Sequence, residues 1–265
     1  AEYHEGYIVG SLDAGKHVLV DAPITLSLQS TRRILDAEGR APNGARVFVS
    51  YARRYTPCFE IFKREVASLD RIYYARCRNI SGPGIHRPNG IAAVNGKGGT
   101  SQLRQRLMQE VFSDHDLSRE RVSLCQFLAS RGCHDLSMMR ETLGYPDGVS
   151  FVSVNDPFYT AIFHYKSKGA DGESHPFTLI YEAGTDAVLR CDAHLAVYGA
   201  RKTVSIHFDS PYDKGHPVRV LVEETDEDGH AKVTESLSSC EDAYRQEFRA
   251  LYSYLVDGEP PKTTA

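Results

Sequence analysis

No stretch of this sequence approaches the roughly 18 consecutive apolar residues that a membrane-spanning helix needs, and its first residues show no basic region running into an apolar core. No surplus of basic charge is present either. The 31 lysines and arginines stand against 35 aspartates and glutamates, for a formal charge of -4, which leaves no electrostatic footprint for nucleic acid. Neither a membrane nor a nucleic acid is therefore expected as partner. There is no Cys-x-x-Cys pair: Cys58, Cys77, Cys125, Cys133, Cys191 and Cys240 are scattered. At this length that argues against a disulfide scaffold and for reduced, partly buried thiols in a cytoplasmic protein. Cys133 adjoins His134, but neighbouring side chains diverge in a helix or strand, so no metal pair is expected there. A Gly-x-Gly-x-x-Gly turn is also missing. Gly96-Lys97-Gly98-Gly99-Thr100 follows no apolar strand and lacks Walker spacing, so a mobile loop is expected rather than a phosphate cradle. Tryptophan is absent, while tyrosine occurs fifteen times. The chain shows no internal repeat.

What is present is ordinary for a soluble globular chain: 41% apolar and 25% charged residues, enough in 265 residues for one large core or two smaller ones. His4 to Ala14 reads as a helix with Tyr7, Ile8 and Leu12 on its apolar side, stopped by Gly15. Val18–Val20 is a short buried strand. Ser27 caps a second helix to about Glu38, with Leu28, Thr31, Ile34 and Leu35 facing inward. A loop at Gly39–Gly44 leads to a second buried strand at Ala45–Ser50. This order matches the second half of a doubly wound parallel sheet, which could not stand alone because parallel sheets need both faces covered.

From Tyr51 the pattern changes. Pro57 opens a helix with Phe59, Phe62, Val66 and Leu69 on one face, and 71–78 alternates as a strand. Residues 81–100 form a long glycine- and proline-rich loop, of the kind that is functional or disordered. Helices are expected at 101–111 and 119–143. Strands follow at 149–154, 159–165, 177–181, 187–198, 202–208 and 218–223, with a solvated hairpin at 223–230. A final helix at 242–255 carries Phe248, Leu251, Tyr252 and Leu255. The expected fold is α/β: a partial Rossmann-type parallel unit followed by an α+β domain with a large, mostly antiparallel sheet. The expected divisions are 1–50, 51–240, and a terminal helix and tail at 241–265.

Several short motifs point the same way. Gly15-Lys16-His17-Val18-Leu19-Val20-Asp21-Ala22-Pro23 is similar to Ala-Gly-Lys-His-Val-x-x-Glu-Lys-Pro, the signature of the glucose-fructose oxidoreductase / inositol dehydrogenase / MocA family. His4 lies where that family places a histidine opening the preceding helix. Arg53-Arg54-Tyr55 with Pro57 resembles its Arg-Arg-Phe-x-Pro. Gly132-Cys133-His134 and Leu143-Gly144-Tyr145-Pro146 resemble its Asp-x-Gly-x-His-x-x-Asp segment and the Leu-x-Gly-x-Pro tail. Val197-Tyr198-Gly199-Ala200-Arg201-Lys202 resembles its Val-x-Gly-Thr-Lys-Gly turn. The order and spacing of these motifs carry the resemblance across nearly the whole sequence. It implies a Rossmann domain for NAD or NADP, a second domain whose sheet joins subunits, and a small hydroxylated or carbonyl substrate. It also implies a partial chain, since the first half of the Rossmann domain is not in this sequence.

The resemblance assigns His134 as the catalytic acid/base, and places Asp21, Ala22 and Pro23 beside the cofactor. Arg54, His86, Arg87, Asn89 and Arg131 are expected to meet the substrate. The chain departs from the family at telling positions: Ala22 replaces the lysine, and Ser130 and Ser137 replace the two acidic residues around the histidine. Alanine has no proton to move and no charge to stabilise an alkoxide, a loss of several kcal/mol by the general rule. Arg131, Arg53 or Arg54 could supply positive charge but not a mobile proton. The leading expectation is a divergent NAD(P)-dependent oxidoreductase. The alternatives are a non-redox lyase, isomerase or cyclase on the same scaffold, and a non-catalytic ligand-sensing or regulatory protein. Fold alone does not choose among them.

Overall fold

The computed structural model describes residues 1–82, 99–112, 118–188, 190–209 and 217–263. Most of the glycine-rich loop expected at 81–100 lies outside the described residues. The rest divides into two compact units: the described parts of Ala1–Tyr51, Arg87–His134 and Glu247–Ala265, and those of Ala52–His86 and Asp135–Gln246. Residues 99–134, assigned to the second domain from sequence, thus group with the first unit, as does the tail from Glu247.

In the first unit, α1 (His4–Asp13) ends at Gly15, whose φ of +68° is left-handed and suits glycine. The Gly15 and Lys16 N–H groups donate back to Leu12 O and Ser11 O, closing the helix. A Cβ at Gly15 would come within 2.9 Å of Asn43 Nδ2, a second reason for glycine. The chain then enters β1 (Val18–Asp21), which pairs in parallel with β2 (Val47–Ser50), register Val18↔Val47 to Asp21↔Ser50. Between them runs α2 (Leu28–Arg40), whose first turn is capped by Ser27 Oγ accepting the Ser30 N–H at 3.0 Å. Ile8, Leu12, Val20, Ile34, Ala37, Ala45, Val47 and Val49 form the core of this unit.

Three details differ from expectation, the first being Tyr7, which was read on the apolar side of α1 and is exposed. The α2 stripe that enters the core is Ser30, Ile34 and Ala37, spaced four and three residues apart, so Leu28 and Leu35 point away and are exposed. The loop at Gly39–Gly44 is shorter than read: α2 continues to Arg40, and Pro42–Gly44 forms a turn of 3₁₀ helix. Helices α4 (Gly99–Phe112) and α5 (Arg119–Phe127) complete the unit with the end of the last helix. Glu110 of α4 ties back to α2, accepting the Ser27 hydroxyl at 2.7 Å and pairing with Arg33 at 3.0 Å.

The second unit holds α3 (Pro57–Ala67), most of α6 (Cys133–Leu143) and β3 (Tyr74–Ser81). It also holds β4 (Gly148–Asn155), β5 (Phe158–Lys168), β6 (Ser174–Thr185), β7 (Cys191–Tyr198), β8 (Lys202–Phe208), β9 (Pro217–Thr225) and β10 (Ala231–Ser239). They form one eight-stranded sheet in the order β10-β9-β8-β7-β3-β6-β5-β4. Only β3 and β6 pair in parallel. The strict alternation along β3 shows how the faces divide: Ala75, Cys77, Asn79 and Ser81 are buried, while Tyr74, Arg76 and Arg78 lie on the other side. Phe59 and Phe62 of α3 are fully buried with Leu179, Leu195 and Ile206.

The helix read at 119–143 is interrupted by a π-helical turn at Leu128–Gly132. Strand β10 was not anticipated, because it is polar on both faces apart from Val233 and Leu237. The last helix, α7 (Cys240–Val256), buries Ala243 and Glu247, whereas Phe248, Tyr252 and Leu255 are exposed. No helix among the described residues is long and apolar enough to cross a membrane. The five cysteines with described side chains are free thiols.

Candidate functional site

Ligands of parallel α/β sheets gather beyond the carboxyl ends of the strands. In the first unit that end is made by Asp21, Ala22 and Pro23 at and after β1, and by Ser50 and Tyr51 at and after β2. The Ala22 N–H donates to Ser50 O at 3.2 Å, so the two strand ends stay paired one residue past β1. The Ala22–Pro23 peptide is cis. Asp21 is exposed, and Ala22 and Pro23 are half-buried. The His4 ring fixes the turn that follows: its Nδ1 lies 3.1 Å from Pro23 O and 3.2 Å from Ile24 O. Carbonyl oxygens only accept, so this nitrogen carries the proton.

His134 belongs to the same unit and is half-buried. Its ring meets the edge of Tyr51, with centroids 5.8 Å apart and planes at 75°. The π-helical turn lies directly before it, with Gly132 buried and Ser130 Oγ donating to Phe127 O at 3.2 Å. Such turns commonly occur at functional sites. Arg131 lies in this turn and is half-buried. A cavity of about 340 Å³ is lined by Leu26, Met108, Cys125, Ala129 and Ser130, among others. Ser130 therefore faces open space.

One residue at this end carried no functional signal in the sequence. Glu247 of α7 is only 4% exposed, and its Oε2 accepts the Ser50 hydroxyl at 2.9 Å. Burial pushes its carboxyl up, against the Ser50 hydroxyl and the Tyr51 N–H, which favour its charged form, and nearby Asp21 adds to the rise. The nearest sequence signal was an acidic residue at the helical spacing of Ala243, on the face that proved buried.

Arg54 sits elsewhere. It is buried in the second unit and paired with Glu141, which also takes Lys63 Nζ at 2.8 Å. Burial works against the Glu141 charge, but Lys63 and Arg54 more than offset it and hold that carboxyl low. His86, Arg87 and Asn89 lie outside the described residues. Asp135 is 2% exposed and accepts from Arg53 Nη1 at 2.9 Å, Asn79 Nδ2 at 2.8 Å and Tyr181 OH at 3.1 Å. Burial raises its pKa, and those three groups oppose the rise. Among the described residues, Asp226, Asp228 and His230 are the set whose ligand atoms lie close enough for a metal ion, on an exposed hairpin.

No protein-family model matches this sequence, and no curated protein matches it. The fold does match solved structures. KijD10, a 3-ketoreductase from Actinomadura kijaniata in complex with TDP-benzene and NADP, is 14% identical with a TM-score of 0.63, over 98% of this chain and 68% of that one. The dehydrogenase MviM from Clostridium difficile is 12% identical with a TM-score of 0.60, over 96% of this chain and 66% of that one. The protein yhhX, described as a probable oxidoreductase, is 18% identical with a TM-score of 0.64, over 100% and 71%. At these identities the likeness establishes the fold: a small parallel α/β unit and a large, mostly antiparallel sheet.

Proposed function

We propose that this chain is part of a nicotinamide-dependent oxidoreductase of the glucose-fructose oxidoreductase / inositol dehydrogenase / MocA type. Its substrate is a hydroxyl or carbonyl group on a small molecule. The observation that carries this reading is the end-to-end likeness to oxidoreductases, one of them solved with NADP. The residues at the carboxyl end of β1 fit the nicotinamide end of such a cofactor. Ala22 is small, Pro23 and Ile24 are held in place by His4, and Asp21 is exposed. No glycine-rich turn for a pyrophosphate is seen among the described residues, and the neighbours' chains extend beyond the matched region.

When bound, NAD or NADP accepts or delivers a hydride. The protein's part is to move the proton and hold the substrate. His134 takes the proton from a substrate hydroxyl, or returns it to a carbonyl, because imidazole titrates near neutral pH. Arg131 offers fixed positive charge to the substrate oxygen. The open face of the large sheet, bordered by Val233 (64% exposed) and Leu237 (61%) on β10 and Phe151 (53%) on β4, is read as the surface that joins two copies.

One observation favours a second reading. Ala22 cannot shuttle a proton, so a lyase, isomerase or cyclase that uses His134 without hydride transfer suits the same site. Calorimetric titration of NADH and NADPH into the full-length protein, with the 265-residue chain as control, separates the two. Binding of either cofactor supports the redox reading. A folded full-length protein that binds neither overturns it in favour of cofactor-free chemistry at His134.

A further inference from the structure

Helix α7 buries the opposite of what hydrophobic burial favours. Phe248 is 58% exposed and Tyr252 63% exposed, yet Glu247, directly before Phe248, is 4% exposed. Taking a carboxyl group out of water is costly unless its oxygens are bonded. One hydrogen bond holds it, from the Ser50 hydroxyl at 2.9 Å across 197 residues of sequence, and the Tyr51 N–H favours its charged form. Its other oxygen, Oε1, has no donor among the described residues. The charged group that acts on it from the neighbouring strand is Asp21.

The place of this bond gives it a consequence. Ser50 is the last residue of β2, and the next segment, Ala52–Tyr55, is already a 3₁₀ turn. Tyr51 therefore lies where strand pairing no longer fixes the backbone, and Glu247 holds the side chain of Ser50 immediately before it. The Tyr51 ring in turn meets the His134 ring edge-on, a preferred geometry for aromatic pairs. We propose that Glu247 is a positioning residue for His134, acting through Ser50 and Tyr51. The inference deepens the acid/base role given to His134 above. Its test uses no cofactor, so failure of the cofactor titration and failure of this proposal are distinguishable.

The experiment reads the His134 ring directly. Histidine ring resonances are followed by NMR across a pH titration, with His134 assigned by His134→Gln. Tyr51→Leu serves as the reference, because it removes the aromatic ring current at His134. Glu247→Leu removes both acceptors. Glu247→Asp keeps a carboxyl group but withdraws it by one methylene, and Ser50→Ala removes one donor with minimal change of volume. Glu247→Gln keeps an acceptor oxygen for both donors. The expected result is a His134 resonance displaced in Glu247→Leu and Glu247→Asp in the direction of Tyr51→Leu, displaced less in Ser50→Ala, and restored in Glu247→Gln. A His134 resonance and titration that match wild type in every folded variant except Tyr51→Leu would overturn the proposal. So would equal displacement by Glu247→Gln and Glu247→Leu.

Discussion

The pair formed by Arg53 and Asp135 gives the most exacting test of the second unit. Both side chains are nearly sealed from water, at 8% and 2% exposure, and Arg53 Nη1 lies 2.9 Å from Asp135 Oδ1. Asp135→Asn preserves shape but removes the negative charge, leaving the guanidinium buried without it. The new amide must also set an N–H₂ against Asn79 Nδ2 or the Tyr181 hydroxyl, both of which now donate to the carboxylate. Breaking a buried pair from one side costs about 3–5 kcal/mol, against a total stability of roughly 5–15 kcal/mol for a folded protein. Urea unfolding followed by far-UV circular dichroism at neutral pH measures the loss, since no tryptophan is present for fluorescence. Arg53→Met and the double variant complete the cycle, and coupled partners should fall short of additivity by about 1–3 kcal/mol. The pH dependence adds an independent check. Burial raises the folded-state pKa of Asp135, so its contribution is greatest in acid and is lost as pH rises through that folded value; Asp135→Asn should remove this slope. A cost below about 1 kcal/mol with additive singles would refute the claim that this pair organises the unit.

Two further outcomes follow from the sheet and its helix. His194 and His207 stack with centroids 5.3 Å apart, and burial lowers both pKa values; Arg78 and Arg76 act in the same sense on His194, against Asp192, and His194 and Arg219 do so on His207. Wild-type stability should therefore fall as pH drops below the unfolded value of about 6.5 and through the lowered folded values, and the double variant His194→Gln/His207→Gln should flatten that part of the melting-temperature profile; parallel profiles would contradict the assignment. Phe62→Ala, at a fully buried position, should cost about 3–5 kcal/mol in the same urea assay, whereas Phe248→Ala on the exposed side of α7 should cost no more than roughly 0.5 kcal/mol; equal losses would show that α7 is covered in solution.

The parts of the fold that were legible are those where local chemistry and packing agree. Gly15 marks the end of α1 because a left-handed residue is needed there, and Ser27 marks the start of α2 because its hydroxyl takes the Ser30 N–H. The alternation in β3 and the apolar run in β2 specify strands for similar reasons. What failed to show was the inward face of helices with more apolar residues than the core uses. Leu28 and Leu35 lost to Ser30, Ile34 and Ala37, and Phe248 and Tyr252 lost to Ala243 and Glu247. Helical period alone cannot rank two adjacent stripes when a polar side chain finds a buried donor. β10 was missed because an edge strand with few apolar residues carries little period-two signal.

The site divides along a comparable line. Asp21, Ala22 and Pro23 were placed by the end of an apolar strand, and His134 by the motif around it; Tyr51 joins His134 to that strand end in a contact between side chains that no local pattern encodes. Ala22 stands where the resembled signature has lysine, and other cations in the molecule are already paired. Arg53 is engaged by Asp135, and Arg54 by Glu141. A guanidinium already bonded to a buried carboxylate offers little net charge to a substrate oxygen elsewhere. The redox reading assigns that charge to Arg131, three residues before His134 in sequence and half-buried in the π-helical turn. Because arginine stays protonated, it can stabilise charge but cannot carry the proton. On the redox reading proposed above, two residues therefore share what a single lysine would supply: Arg131 for the developing negative charge and His134 for the proton. A non-redox reaction requires only the second.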